Sequence, residues 1–332
     1  MKKVAVVIMN WNGRKLMQMF LPSVVKYTEN DTADVIVADN GSTDGSAEWL
    51  ESEFPSVVRL LFDKNHGFAG GYNLAVEKLD GYKYILLLNS DVEVTANWLA
   101  PMLDVMENDT DIAACQPKIK AYADKGRFEY AGAAGGYLDR NGFPFCRGRI
   151  FDTVERDEGQ YDGEVKQVFW ASGAAMLVRR KDYLEAGGLD TDFFAHMEEI
   201  DLCWRLNLLG KKVCIVPQST VYHVGGGTLA AGNPRKTYLN FRNNLFMLYK
   251  NLPLREGRSI ILRRKLLDGT AAAMFAAKLD FANVGAVWRA HRDFEKGKCR
   301  YSCQPERNIM NVLPESRRNI VTDYYLKGKR VF

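Results

Sequence analysis

A cluster of acidic side chains follows an aromatic pair near the middle of the chain. Residues 193–205 read Phe-Phe-Ala-His-Met-Glu-Glu-Ile-Asp-Leu-Cys-Trp-Arg, which sets Glu198, Glu199 and Asp201 close together. Because residues four apart share one side of a helix, Asp201 and Arg205 can pair and leave a glutamate free. Beside apolar rings, desolvation would raise the pKa of that glutamate, as suits a general base. A solvated acidic helix start, stabilised by the helix dipole, is the alternative interpretation.

Four short apolar runs, each ending at or leading to polar residues, are the elements that would position the residues of such a site. Continuous apolar runs are typical of strands that are buried on both faces of a parallel sheet. The runs are residues 4–9, 35–38, 60–62 and 85–88, and helical patterns are found at residues 15–26, 46–53, 71–78 and 95–106. This alternation predicts a doubly wound, mostly parallel α/β sheet flanked by helices. Ligands of such proteins bind beyond the carboxyl ends of the strands, so the polar residues are expected to converge on one site.

The polar residues after the runs suit a nucleotide diphosphate. Residues 65–73 place three glycines at the entry to a helix, where backbone N–H groups can hold a phosphate. Residues 39–46 carry short side chains that can bind a base or a ribose. Asp91, flanked by Asn89 and Glu93, offers hard oxygen ligands for Mg2+ or Mn2+. A plain turn or loop is the alternative for each motif alone, and their order at strand ends favours a binding site.

Together these segments resemble the inverting, nucleotide-sugar-dependent glycosyltransferases of family 2, which have the GT-A fold. The resemblance covers roughly the first three quarters of the chain. The segments that resemble the family are the first strand with Asn-Trp-Asn-Gly and residues 39–46, 65–73, 88–91 (Leu-Asn-Ser-Asp) and 170–177. Residues 65–73 are similar to the rhamnosyltransferase-like branch of the family. Residues 88–91 stand where the family has its DxD-type metal motif.

The resemblance implies roles for individual residues. Asp91 is the implied main metal ligand, and His223, followed by glycines, is implied to lie near the metal and the diphosphate. Glu199 takes the place of the usual base in the family's Glu-Asp-x-Asp-Leu motif, with Glu198 as the open alternative. The alternative for His223 is a structural role. The alternative for Trp170 is a position in the core. The implied nucleotide-sugar contacts are Asn10, Asp39, Asn40, Ser42, Asn65, Gly67, Gly71, Asn73, Asn89, Ser90 and Trp170.

The charge of the chain is unevenly distributed. Residues 234–332 carry 21 Lys and Arg against 8 Asp and Glu, a balance of +13, whereas residues 1–233 have a balance of −9. We therefore expect a nucleotide-sugar-binding and catalytic GT-A domain at 1–233 and a basic helical C-terminal region at 234–332. Residues 124–163 are expected to form a mobile insertion near the acceptor site.

The pattern of residues 259–279 predicts a basic amphipathic helix, preceded by another helix at 234–250. Apolar residues alternate there with basic ones, as in helices that lie on anionic membrane surfaces. A solvated bundle packed on the catalytic domain is the alternative. Nucleic acid is not an expected partner, because no binding motif accompanies the charge. The basic residues are Arg258, Arg263, Arg264 and Lys265.

Cysteine usage and hydropathy indicate a location. The six cysteines form no CxxC pair, which is typical of reduced thiols in a reducing compartment. The first apolar run is shorter than the roughly seven residues of a signal-peptide core, and no stretch approaches the roughly twenty residues of a membrane span. We expect a cytoplasmic protein, with peripheral attachment to the cytosolic face of a membrane left open.

The predicted function is metal-dependent transfer of a hexosyl or rhamnosyl group in cell-surface polysaccharide biosynthesis. The donor would be a dTDP- or UDP-linked sugar and the acceptor a saccharide or lipid-linked saccharide. A nicotinamide oxidoreductase is excluded because GxGxxG does not follow the first strand, and a P-loop kinase because Gly-Lys-Ser/Thr is missing. A non-catalytic nucleotide-sugar-binding protein remains the alternative. Its only support is that Glu198-Glu199 stands where the family motif has Glu-Asp.

Overall fold

A mixed β-sheet with helices on both faces forms the centre of the protein, in a computed structural model that describes residues 2–29, 31–225, 232–301 and 304–332. Within those residues the central sheet has nine strands, and a separate small sheet has four. The predicted α/β fold with a helical C-terminal region is therefore confirmed.

The first half of the sheet is parallel, in the order β4-β1-β2-β3. Its elements are β1 (Val4–Asn10), α1 (Arg14–Tyr27), β2 (Ala33–Asp39), α2 (Ser46–Glu53), β3 (Val58–Leu61), α3 (Gly67–Lys78) and β4 (Tyr84–Asn89). Alternate side chains of β1 enter the two cores on opposite faces of the sheet, which explains the continuous apolar run. Asn10 pairs in register with Asp39, and Met9 with Asn89, so the polar strand ends share one edge.

The second half of the sheet is mixed. Its elements are β5 (Val92–Val94), α4 (Ala100–Asn108), β6 (Ile112–Ala121), β11 (Lys166–Val168), β12 (Ala175–Arg179), α5 (Arg180–Glu185), α6 (Glu198–Leu208) and β13 (Lys212–His223). Strand β12 lies antiparallel between β4 and β6. The start of β12 therefore lies at the polar edge, where the Asn89 N–H donates to the Ala174 carbonyl at 3.0 Å. The end of β13 reaches the same edge, because His223 pairs with Val92.

Residues 124–163, expected as a mobile insertion, form an antiparallel sheet instead. Its strands are β7 (Gly136–Leu138), β8 (Pro144–Cys146), β9 (Arg149–Ile150) and β10 (Thr153–Val154). Tyr137 and Phe145 are completely buried, and the ring of Phe332 at the end of the chain packs on both. Consecutive buried residues of β7 and β8 thus give this segment apolar packing of its own.

Three helices follow in the C-terminal region, namely α7 (Pro234–Asn251), α8 (Leu254–Ala277) and α9 (Phe281–Gly297). Asn233 caps α7 by accepting a hydrogen bond from the Arg235 N–H at 2.8 Å, and Pro234 occupies the first turn. Apolar side chains of α7 join the same core as those of α6 and β12. The proposed domain boundary at residue 233 stays a prediction, but α7 is packed into the catalytic half.

One residue of the predicted basic face of α8 points inward. Arg264 is 4% exposed, donates to Asp268 at 3.2 Å and lies over the Phe143 ring at 3.5 Å. Its assignment to a membrane-facing surface is therefore corrected, because a buried and paired guanidinium is not available to lipid. In the described part of the chain, no helix is both long and apolar enough to cross a membrane.

Candidate active site

Three predicted nucleotide contacts form one network at the ends of β1 and β2. Asn10 Nδ2 donates to Asp39 Oδ2 at 2.7 Å and to Ser42 Oγ at 3.1 Å. The Ser42 N–H donates to the other Asp39 oxygen at 2.8 Å. Asn10 and Asp39 are buried, so the network is fixed before any ligand binds. These three residues are brought together as the sequence predicted.

Asn40 and Asn65 shape the entry to α3. Asn40 donates to Asn65 Oδ1 at 3.1 Å and accepts from the His66 N–H at 2.9 Å, and Asn65 accepts from the Gly67 N–H at 2.8 Å. Helix α3 begins at Gly67, four residues before the predicted start. Among the described residues, the Phe68 and Ala69 N–H groups of the first turn make no hydrogen bond outside α3, so they can donate to an anion.

Gly71 and Asn73 serve the packing of α3. A Cβ at Gly71 would lie 2.8 Å from Met9 Sδ, so only glycine lets the helix approach β1. Because Gly71 lies in the second turn, its N–H belongs to the helix and is not a free anion donor. Asn73 accepts from the Leu189 N–H at 2.9 Å and donates to the Leu189 carbonyl at 2.8 Å. Their roles as ligand contacts stay predictions.

Asp91 and His223 face each other across the polar edge. His223 Nε2 lies 3.1 Å from Asp91 Oδ1 and 3.4 Å from Asn89 Nδ2, and both Asp91 and His223 are buried. Ser90, between the two predicted metal-motif residues, is partly exposed. Sequence reasoning missed Glu129, whose Oε2 lies 3.5 Å from His223 Nδ1.

Glu129 holds His223 from the side away from Asp91. It is 6% exposed, and its Oε2 accepts from the Ala131 N–H at 2.5 Å. Gly225 makes room for it, since a Cβ there would lie 2.5 Å from Glu129 Oε1. Burial alone would lower the pKa of His223, but the carboxylates of Asp91 and Glu129, 3.1 and 3.5 Å away, raise it to about 10. No local sequence pattern marked Glu129, because its place depends on the packing of β13 beside β6.

The Asp91–His223 pair fits a divalent cation. Asp91 and His223 present a carboxylate oxygen and an imidazole nitrogen 3.1 Å apart, and His223 would lose its Nε2 proton on binding an ion. Phosphate oxygens and water would then supply the remaining ligands of the ion. Within the described residues, no three His, Cys, Asp or Glu side chains converge as a metal site. The ion would thus depend on the nucleotide diphosphate for part of its ligands.

The two adjacent glutamates lie in a desolvated position at the start of α6. Burial raises the pKa of Glu199 to about 7, although backbone hydrogen bonds oppose the shift. Burial and then Glu199 raise the pKa of Glu198 well above its usual range, and the Glu198 Oε2 atom is buried without a hydrogen-bond partner in the described structure. A Cβ at Gly173 would lie 3.5 Å from Glu199 Cβ and 3.8 Å from the Phe68 ring, so these residues form one wall.

Asp201 is structural, as its predicted pairing with Arg205 implied. Arg205 Nη2 lies 2.7 Å from Asp201 Oδ2, Lys250 lies 3.0 Å from it, and Asn251 donates to Oδ1 at 2.7 Å. Although burial opposes them, Arg205 and Lys250 hold the pKa of Asp201 below its usual value. Asp201 therefore remains ionised and anchors α6 to α7, leaving proton transfer to the two glutamates.

Trp170 lies in the core. Its indole is 2% exposed, its Nε1 donates to the Tyr137 carbonyl at 3.0 Å, and its ring packs against Gly136. The observed position matches the core alternative. A sugar contact stays an untested prediction for which the ring has no exposed face.

The backbone that leads into α6 is strained. Phe194, His196 and Met197 have φ values of +64°, +70° and +75°, a region that non-glycine residues seldom adopt. Asn243 of α7 holds this segment by donating to the carbonyls of Phe193, Ala195 and His196 at 2.9, 2.8 and 2.8 Å. Sequence reasoning missed Asn243, because nothing in its helix distinguishes it from a surface asparagine.

Removing the Asn243 amide should reduce turnover as well as stability. Asn243→Ala removes the side-chain donor of the Ala195 and His196 carbonyls, whereas the Phe193 carbonyl still accepts from Arg242 at 3.2 Å, so we expect a loss of about 1–3 kcal/mol in the free energy of unfolding. Because the freed backbone carries Glu198 and Glu199, kcat should fall several-fold while the donor KM changes little. Thermal unfolding and steady-state kinetics measure both.

Asn244→Ala is the matched control. Asn244 is also buried but donates to the Gly142 carbonyl at 2.8 Å, away from the strained segment. It should lose stability with kcat unchanged. Equal kcat in the two variants would show that Asn243 supports only the fold.

The polar network at the parallel strand ends, the Asp91–His223 pair and the desolvated Glu199 together form the candidate site. The family model described as Glycosyl transferase family 2 matches residues 5–178, more than half of the chain, and the protein belongs to that family.

Its relatives among characterised proteins include rhamnosyltransferases. It is 28% identical over 234 residues to the N-acetylglucosaminyl-diphospho-decaprenol L-rhamnosyltransferase of Mycobacterium tuberculosis, covering 66% of this chain and 75% of the relative. A segment of 56 residues is 41% identical to the rhamnosyltransferase WbbL of Escherichia coli K12, covering 17% of this chain and 21% of that relative.

Solved structures with the same fold belong to glycosyltransferases. The mannosyltransferase PcManGT from Pyrobaculum calidifontis, in complex with GDP-Man and Mn2+, has a TM-score of 0.54 at 14% identity over 88% of this chain and 87% of that chain. GalNAc-T7 with UDP, GalNAc and Mn2+ has a TM-score of 0.59 at 18% identity over 75% of this chain. The match spans about half, 48%, of the GalNAc-T7 chain. At these identities the likeness establishes the GT-A fold.

Proposed function

We propose that the protein transfers L-rhamnose or a related hexose from a dTDP- or UDP-linked donor to a hydroxyl of a lipid-linked saccharide, on the cytoplasmic face of a membrane. The main support is geometric: the Asn89–Ala174 hydrogen bond of 3.0 Å joins the strand end before Asp91 to the segment that faces Glu199. Donor diphosphate and acceptor hydroxyl can therefore meet between these groups. The mycobacterial relative is an N-acetylglucosaminyl-diphospho-decaprenol L-rhamnosyltransferase, which supports the rhamnosyl donor and the lipid-linked acceptor.

The chain's own residues supply binding and proton transfer. Asn10, Asp39 and Ser42 would hold the nucleoside, and Asp91 with His223 would hold Mg2+ or Mn2+ at the diphosphate. Such an ion, when bound, neutralises negative charge on the leaving group. Glu199 accepts the proton of the acceptor hydroxyl as its oxygen forms a bond to the anomeric carbon and the bond from that carbon to the diphosphate oxygen breaks. Attack from the opposite face inverts the anomeric configuration.

The pKa of Glu199 predicts the pH dependence of transfer. Only the ionised carboxylate can accept a proton, and burial raises its pKa to about 7. We therefore expect kcat/KM to rise as pH increases through about 7 and to level off above it, instead of rising near pH 4–5 as for an ordinary glutamate. Initial rates across pH 5–9 measure this. A profile that is flat across this window would contradict the assignment of a desolvated base.

A donor and acceptor panel tests the function itself. Purified protein with Mg2+ or Mn2+ would be offered dTDP-rhamnose and several UDP-hexoses with an N-acetylglucosaminyl-diphospho-lipid acceptor, and products analysed by mass spectrometry. We expect one sugar to be added with release of the nucleoside diphosphate. Tight binding of a nucleotide-sugar without turnover for any pair would instead support the non-catalytic alternative.

A further inference from the structure

An apolar tip projects from the C-terminal region where α8 turns into α9. We define this hairpin tip as residues 269–281. Residues 269–277 read Gly-Thr-Ala-Ala-Ala-Met-Phe-Ala-Ala and contain no charge. The buried residues of α8 end at Asp268, so the helix beyond that point extends out of the core with α9 beside it. At the turn, Leu279 is 77% and Phe281 is 66% exposed.

The exposed apolar surface continues from the tip along both helices. Leu262 and Leu266 are exposed on α8. Trp288 is exposed on α9, seven residues after Phe281 and therefore on the same face of that helix. A monomer rarely leaves large apolar side chains exposed together unless a partner or a membrane covers them. Asp280 does not oppose this, because its carboxylate caps α9 by accepting from the Asn283 N–H and from Asn283 Nδ2.

A basic collar borders the apolar tip. Arg292 lies over the Trp288 ring at 5.1 Å, an arrangement suited to the headgroup level of a bilayer. With Arg292, the collar consists of Arg263 and Arg289, six and eight residues along the helices from the tip. Among the described residues Arg263 and Arg289 take part in no ion pair, whereas Arg292 pairs with Asp293 at 3.0 Å. Two such collars would repel each other, which disfavours a second copy of the chain as the covering partner. Anionic lipid complements both the apolar tip and the collar.

Contacts at the start of α7 connect the hairpin tip with the segment that leads into α6. Asn283, next to the tip, donates to the Gly232 carbonyl at 3.0 Å, just before α7. At the start of α7, the Arg235 guanidinium lies 5.1 Å over the Phe194 ring, and a Cβ at Gly67 would lie 3.8 Å from that ring. A membrane touching the tip would therefore be connected, through the start of α7, to the segment that precedes the two glutamates.

We propose that the hairpin tip inserts into the interface of an anionic bilayer, with Leu279 and Phe281 among the acyl chains and the arginine collar at the headgroups. The proposal rests on the proposed function, because a lipid-linked acceptor would be presented at that surface. It also revises the membrane face expected from the sequence, since Arg264 is buried and Lys265 is paired with Glu295.

Vesicle flotation of the full chain tests the proposal without substrates. We expect binding to vesicles of phosphatidylcholine with phosphatidylglycerol, little binding to phosphatidylcholine alone, and a steep fall with salt. Leu279→Ser with Phe281→Ser should weaken binding by about tenfold or more, since two apolar side chains lose their burial. Leu61→Ser with Leu326→Ser, at exposed sites of 61% and 80% elsewhere, is the matched control and should bind normally.

Several results would overturn the proposal. These are absence of binding to anionic vesicles, equal binding by the tip and control variants, or a concentration-dependent dimer that the tip substitutions abolish. Donor hydrolysis, or transfer to a water-soluble acceptor analogue, is expected to be unchanged in the tip variant. Intact vesicle binding by a protein that transfers no sugar would refute the proposed function and leave the docking surface standing.

Discussion

Replacing Glu199 by glutamine is expected to lower sugar transfer by about a hundredfold or more, the range for loss of a general acid or base. Glutamine keeps the shape of the side chain but cannot accept the acceptor proton. Donor binding should be preserved, because Glu199 lies against Gly173 and Phe68 and not in the Asn10–Asp39–Ser42 network. Single-turnover rates and donor titration separate the two quantities.

Glu198→Gln is the matched control one residue away. Neighbouring residues on a helix point about 100° apart, so only one glutamate can face the acceptor hydroxyl. Because Glu198 is the more buried of the two, its substitution should chiefly raise the acceptor KM or change stability. If Glu198→Gln loses turnover and Glu199→Gln does not, the roles are reversed.

Asp91→Ala is expected to abolish metal-dependent donor binding while the protein remains folded. Asp91 lies at a strand end, paired with His223 at 3.1 Å, so it contributes to the polar edge more than to the apolar core. Without its carboxylate, His223 would be the one remaining member of the pair. Mn2+ affinity in the presence of nucleoside diphosphate, followed by electron paramagnetic resonance, provides a readout that does not depend on activity.

Glu93→Ala controls for the loss of a nearby negative charge. Glu93 is two residues from Asp91 but pairs with Lys125. It should bind Mn2+ and donor normally, and its activity should be retained. Unchanged Mn2+ affinity in Asp91→Ala, or full activity of the unaltered protein in excess chelator, would contradict the metal assignment.

Much of the donor half of the site was already determined by the sequence. Apolar runs of β-branched residues and leucine specify buried parallel strands, and the polar residues that interrupt them must then share one sheet edge. This pattern correctly predicted that Asn10, Asp39 and Ser42 lie together. The family resemblance, not this local pattern, implied that His223 lies near Asp91, and the pairing of β13 with β5 brings the two together. The pairing of Asp201 with Arg205 followed from helix spacing alone.

Only the tertiary structure decided how residues distant in the chain act on that site. Glu129 reaches His223 because β13 pairs with β6 and the Glu129 N–H is bonded to Ile119 of β6. Asn243 reaches the strained segment because α7 packs on α6. Trp170 and Asn73 have side chains suited to ligands, but internal partners occupy them. In α8 the charge pattern did not show which face turns inward, since Asp268 and Phe143 bury Arg264. Residue type limits what a side chain can do, and packing between distant segments selects which of those things it does.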